Sequence, residues 1–160
     1  MAEMPRRRAI ALPIVVALSG CASLTADTDR TANGVVDRKL VVGDERPATD
    51  DDQPPTTELL VVNNDGSVET TNESYRERAT EGDVVSVSES LAAEFEDAYS
   101  SIQYLVTVKL ESTDHVNGIG PGDGVTYRTD RPAFNDATVA APISYKTSES
   151  GDRIVQVVGG

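Results

Sequence analysis

The chain carries one thiol, Cys21, and one imidazole, His115, and the isolation of each limits its chemistry. A lone cysteine excludes an internal disulfide and any multi-cysteine zinc or iron–sulfur site. His115 lies in the loop Ser112-Thr113-Asp114-His115-Val116-Asn117-Gly118-Ile119-Gly120-Pro121-Gly122-Asp123-Gly124. A histidine base needs a nucleophile to activate and a group to orient it, and neither a Ser-centred elbow nor a metal-binding His pair accompanies this one. No catalytic role is read at His115. The glycines of the loop also miss the phosphate-loop pattern, because no strand leads through them into a helix.

The other reactive groups are carboxylates and one amide. Asp50-Asp51-Asp52 has oxygen ligands for a hard cation, but a run of adjacent acids reads first as solvated surface. An EF-hand register through Asn63-Asn64-Asp65-Gly66 puts Val61 at the first ligand position and Asn72 at the last, where carboxylates are required. No metal and no cofactor are expected. Glu94 and Asp97 stand three apart on an expected helix and read as a wet face rather than a glycosidase pair. Asn72-Glu73-Ser74 is an N-glycosylation acceptor triplet, which makes Asn72 a candidate modification site on an exported chain.

A more specific pattern leads up to the cysteine. Arg6-Arg7-Arg8 precedes the apolar run Ala9-Ile10-Ala11-Leu12-Pro13-Ile14-Val15-Val16-Ala17-Leu18, and Ser19-Gly20-Cys21 follows. A positive flank, an apolar stretch and small residues form the order of an export signal. As a helix, residues 9–20 would reach only about 18 Å against a hydrocarbon core of about 30 Å, and Pro13 interrupts them. Leu18-Ser19-Gly20-Cys21 resembles the lipobox of prokaryotic lipoproteins at all four positions. The resemblance implies cleavage between Gly20 and Cys21 and a diacyl- or dialkylglyceryl lipid on the Cys21 sulfur, so membrane lipid is an expected partner. Arg7-Arg8, followed by Ala9-Ile10-Ala11, resembles a twin-arginine export motif, which carries folded proteins. The same arginines would also serve a general secretory signal.

Twenty-seven Asp and Glu oppose 14 Lys and Arg, a formal charge of −13. That balance argues against nucleic acid as a partner, which needs clustered cations facing phosphates. Removal of residues 1–20 takes away Arg6, Arg7, Arg8 and Glu3 and leaves 11 basic and 26 acidic residues, a formal −15. The only lysines are Lys39, Lys109 and Lys146. An acidic surface poor in lysine resembles the proteins of extremely halophilic archaea. At molar salt the Debye length is about 3 Å, so repulsion that would loosen the compact state is screened. A merely acidic bacterial lipoprotein is the alternative.

The elements that must position these groups follow from periodicity. Residues 21–32, the lipidated Cys21 and an Ala-, Thr- and Asp-rich stretch, read as a flexible tether. Residues 33–160 read as one domain, with strands at Val35–Val42 and Leu59–Val62, an acidic loop at 44–57, and a hairpin turn at Asn63-Asn64-Asp65-Gly66. Gly82–Ser88 reads as a strand, and Ser86 with Glu89 as a capping box. An amphipathic helix over Glu89–Ser101 turns Leu91, Phe95, Ala98 and Ile102 to one face. Further strands are expected at Gln103–Glu111, Gly124–Thr129, Thr138–Lys146 and Asp152–Val158. Pro142 suits an edge strand or a bulge. The expected fold is mainly β (α+β), a small antiparallel barrel or sandwich with one amphipathic helix. The function read from this is a lipid-anchored protein on the extracytoplasmic face of the cell membrane, a binding module for a protein or small ligand. The alternatives are a small surface enzyme using carboxylates and an accessory subunit of a membrane complex.

Overall fold

The computed structural model describes residues 31–47, 49, 53–111 and 120–159. In chain order its elements are β1 (Thr31–Asp44), β2 (Thr56–Asn63), β3 (Val68–Thr70), α1 (Glu73–Ala79), β4 (Thr80–Glu81), β5 (Val84–Val85), α2 (Glu89–Ala98), β6 (Ser101–Leu110), β7 (Gly124–Thr129), α3 (Arg131–Asp136), β8 (Pro142–Thr147) and β9 (Ile154–Gly159). The fold is mainly β with an antiparallel sheet. Among the described residues there are three helices rather than one.

β1 organises the sheet. Its first face turns Ala32, Gly34 and Val36 inward, and after a bulge at Asp37 the inward residues are Lys39, Val41 and Gly43. A bulge adds a residue to one strand and bends it. Along one edge β1 pairs with β6 from Gly34 to Asp44. Along the other it changes partner, taking β8 over Thr31–Val35 and β2 over Arg38–Asp44. β1 therefore starts at Thr31, inside the stretch read from the sequence as tether. The change of partner at the bulge folds the sheet back on itself, in the manner of strands that turn sandwich corners.

The sheet runs β3-β2-β1-β6-β7, with β8 added to β1 and β9 to β8. β9 comes round toward β7, but the pairing between them among the described residues is the isolated parallel bridge of Arg128 with Arg153, just before β9, where the Arg128 N–H donates to the Asp152 carbonyl at 3.1 Å. One bridge does not close a ladder, so the barrel alternative falls and the sheet is open. The expected hairpin at residues 63–67 is present: the Gly66 N–H donates to the Asn63 carbonyl at 2.9 Å, and Gly66 takes a φ of 81° that other residues rarely adopt.

The core lies between the curved sheet and the helices. Leu91 and Phe95 of α2 are buried as the helical spacing implies, but Ala98 is exposed at the helix end and Ile102 belongs to β6. The cap of α2 is Ser88, whose Oγ accepts from the Leu91 N–H at 3.2 Å, rather than Ser86. Tyr75 of α1 meets Phe95 edge-on at 5.0 Å between ring centres, which docks α1 on α2. Phe134 of α3 is fully buried and tilts against Tyr104 at 5.4 Å. Tyr127 and Tyr145 bury both rings, and the Tyr145 hydroxyl donates to the Tyr127 oxygen at 3.0 Å. Of Gly82–Ser88, only Val84–Val85 is strand, paired with Thr80–Glu81. The strand expected from Thr138 begins at Pro142, which is exposed and pairs with Val35.

Candidate functional site

Most of the residues that the sequence marks for chemistry lie outside the described residues: Arg7 and Arg8, Leu18, Ser19, Gly20 and Cys21 of the lipobox, Asp50-Asp51-Asp52 and His115. Asn72 is described and exposed. It caps α1, its Oδ1 accepting from the Ser74 N–H at 3.0 Å, while its amide nitrogen is the atom a glycan would use. Glu94 forms an ion pair with Arg78, and the Asp97 carbonyl accepts from Arg46 at 2.8 Å. Among the described residues no group of three or more His, Cys, Asp or Glu is placed to hold a metal ion, and no helix is long and apolar enough to cross a membrane.

Two arrangements of charge stand out instead. The first is Lys39, which the sequence reading counted with the surface lysines and which the structure buries, 2% exposed. Alternation along β1 turns it inward after the Asp37 bulge. Its ammonium donates to the Val85 carbonyl at 3.0 Å and the Ala137 carbonyl at 2.7 Å, and lies 4.3 Å from the centre of the Phe134 ring. Ala137 caps the C-terminus of α3, where unpaired carbonyls favour a cation. Burial pushes the Lys39 ammonium down to about 8, against an opposing pull from the Asp136 carboxylate. The recess beside it, lined by Val62, Val85, Ala137 and Val139, measures about 20 Å³, room for nothing larger than a water molecule. No substrate reaches this amine, so Lys39 works as a structural cation that ties β1 to β5 and α3.

The second arrangement is a cleft of about 310 Å³ where the start of β6, the end of β7 and the corner before β9 converge. Ile102 and Tyr104 form its apolar wall, and Arg128, Asp152 and Arg153 its charged rim. The bridge between Arg128 and Arg153 brings their backbones side by side. The Asp152 carboxylate accepts from Ser150 and from Ser148, the latter at 3.0 Å; these bonds, with a smaller contribution from Arg128, hold it below the usual carboxylate range. Thr129, 7% exposed, also lines the cleft, and its hydroxyl has no hydrogen-bond partner among the described residues. Burial raises the Tyr104 hydroxyl, so it stays a neutral donor at ordinary pH. Sequence reasoning missed this cleft because Arg128 and Arg153 sit in separate strands with no shared motif.

A third recess, of about 370 Å³, lies beside β9, with Ala141, Pro142, Ile143, Val157 and Val158 as apolar lining and Asp136 and Thr138 as polar lining. No protein-family model matches the chain, and no curated protein or solved structure matches it.

Proposed function

We propose that this is a lipid-anchored protein on the extracytoplasmic face of the cell membrane of a halophilic archaeon, presenting one small mainly β domain as a binding or interaction module. The observation that carries the reading is Leu18-Ser19-Gly20-Cys21, a lipobox pattern that contains the chain's single cysteine and follows Arg6-Arg7-Arg8 and an apolar run. A single acyl chain binds membranes only marginally, so a two-chain glyceryl group on Cys21 is what makes attachment stable. Arg7 and Arg8 direct export by the twin-arginine route, which suits a domain that folds in concentrated salt before it crosses. The binding role is supported by the shape of the domain: an open sheet with a charged cleft at its seam, and a buried lysine that no substrate can reach.

Cys21→Ser should move the protein from the membrane fraction to the soluble fraction. Continued tight membrane association of that variant would defeat the anchor. Replacing Arg7 and Arg8 with Lys should stop export, and normal export of the double variant would defeat the twin-arginine route while leaving the anchor standing.

A further inference from the structure

We propose that the cleft between β6, β7 and the Asp152–Arg153 corner binds a small carboxylate-bearing ligand, held between the guanidinium groups of Arg128 and Arg153. This gives the binding module read above a ligand class, and it rests on that reading only for its cellular setting.

Among the described residues the other cations are occupied in ways that this pair is not. Arg38 pairs with Glu58, Arg76 with Glu73, Arg78 with Glu94 and Lys109 with Asp37. Arg46 and Arg131 donate to the Asp97 and Val87 carbonyls. The guanidinium groups of Arg128 and Arg153 make neither an ion pair nor a hydrogen bond with any described residue, although acids outnumber bases 27 to 14 in the chain. Both side chains are exposed and stand at one rim because the backbone bridge sets them there. Each presents planar, forked donors that match a carboxylate bidentately.

The rest of the cleft narrows the ligand. Asp152 adds one negative charge to two positive ones, leaving a net single positive charge, which a monoanionic carboxylate balances better than a phosphate dianion. The Ser148 and Ser150 hydroxyls both donate to Oδ1 of Asp152, and the carboxylate forms no ion pair with either guanidinium, although Arg128 is near enough to help lower its pKa. Ile102 and Tyr104, packed against the core, also line the cleft. Thr129, beside Arg128 in β7, turns inward, and its buried hydroxyl has no hydrogen-bond partner among the described residues. A volume of about 310 Å³ takes a molecule the size of a sugar acid.

The test is calorimetric titration of the full chain in detergent, at fixed molar potassium chloride, with D-glucuronate and separately with inorganic phosphate. Saturable glucuronate binding is expected, with phosphate weaker. Arg128→Gln and Arg153→Gln should each weaken glucuronate binding about tenfold, the loss of a charge-assisted hydrogen bond, with unchanged thermal midpoints. Arg76→Gln, remote and already paired, should leave it unchanged. No saturable glucuronate binding, or binding that survives both substitutions, overturns the site. Phosphate binding tighter than glucuronate overturns the carboxylate assignment. Because the titration needs no membrane, the cleft and the anchor can fail separately.

Discussion

Lys39 occupies a position where alternation along β1 asks for an apolar side chain, and three groups from distant segments accommodate its charge. Val85 and Ala137 lie 46 and 98 residues further along the chain. The inward phase of Lys39 was legible once the bulge was placed, but its partners were not, because nothing local links β1 to the end of α3. The same holds for Arg128 and Arg153, whose meeting is a product of sheet curvature. Asn72 shows the converse: its triplet was visible as a modification signal, while its role as the cap of α1 depends on the helix that follows. Burial lowers the Lys39 ammonium to about 8 from an unfolded value of 10.5. Between those values the unfolded chain binds more protons than the folded one, so folding stability gains as pH rises through the window. Below pH 8 the cost of the buried charge is present in full. Relative to Lys39→Met, the native protein should gain stability from pH 8 toward pH 10, approaching about 3 kcal/mol across the whole window. Urea titrations at a series of pH values check this, and parallel curves for the two proteins would contradict it.

At the level of elements, β1 holds the structure together by serving β2, β6 and β8 at once, and Gly34 lies where β6 and β8 both approach. A Cβ at Gly34 would come 2.4 Å from the Lys109 carbonyl oxygen and 2.5 Å from a Val108 methyl. Backbone cannot swing aside as a flexible side chain can, so Gly34→Ala should force β1 from β6 and cost about 1–3 kcal/mol. Gly124→Ala is the control, since its Cβ would make ordinary contact with Thr107 at 3.5 Å. A lowered urea midpoint for the first variant alone is expected, and equal midpoints would count against this packing. The elements most legible in the sequence were those with local signals: the hairpin through Asp65-Gly66, the alternating run of β6, and the amphipathic turns of α2. α1 and α3 were missed because each is too short to show a periodic stripe; α1 spans seven residues and α3 six. Their surviving signals are caps, Asn72 for α1 and Asp130 for α3, with a proline in the first turn of α3. The partner switch of β1 left no trace in its sequence beyond the misphased Lys39.

For the whole molecule, the balance of 27 acids against 14 bases acts as a field rather than as a set of contacts. Unscreened, it opposes compactness; at molar salt the Debye length is about 3 Å and the opposition fades. The thermal midpoint should therefore climb steeply as potassium chloride is raised from about 0.1 M to molar levels, where exposed charges lose their reach. A midpoint insensitive to salt would remove the halophilic reading and leave the anchor untouched. Charge and the lipobox pattern were fully legible in the sequence because both are properties of residue type and order. The open, bent form of the sheet was not, because barrel and open sheet share the same strand periodicity and differ only at the seam of β7 and β9. The proposed anchor makes Cys21 the lipidated first residue of the mature chain, and intact mass spectrometry of the protein extracted from membranes reads that residue and its lipid together. The expected species is a chain that starts at Cys21 and carries a two-chain glyceryl lipid on its sulfur. A membrane-extracted chain that retains residues 1–20 with a free Cys21 thiol would contradict it.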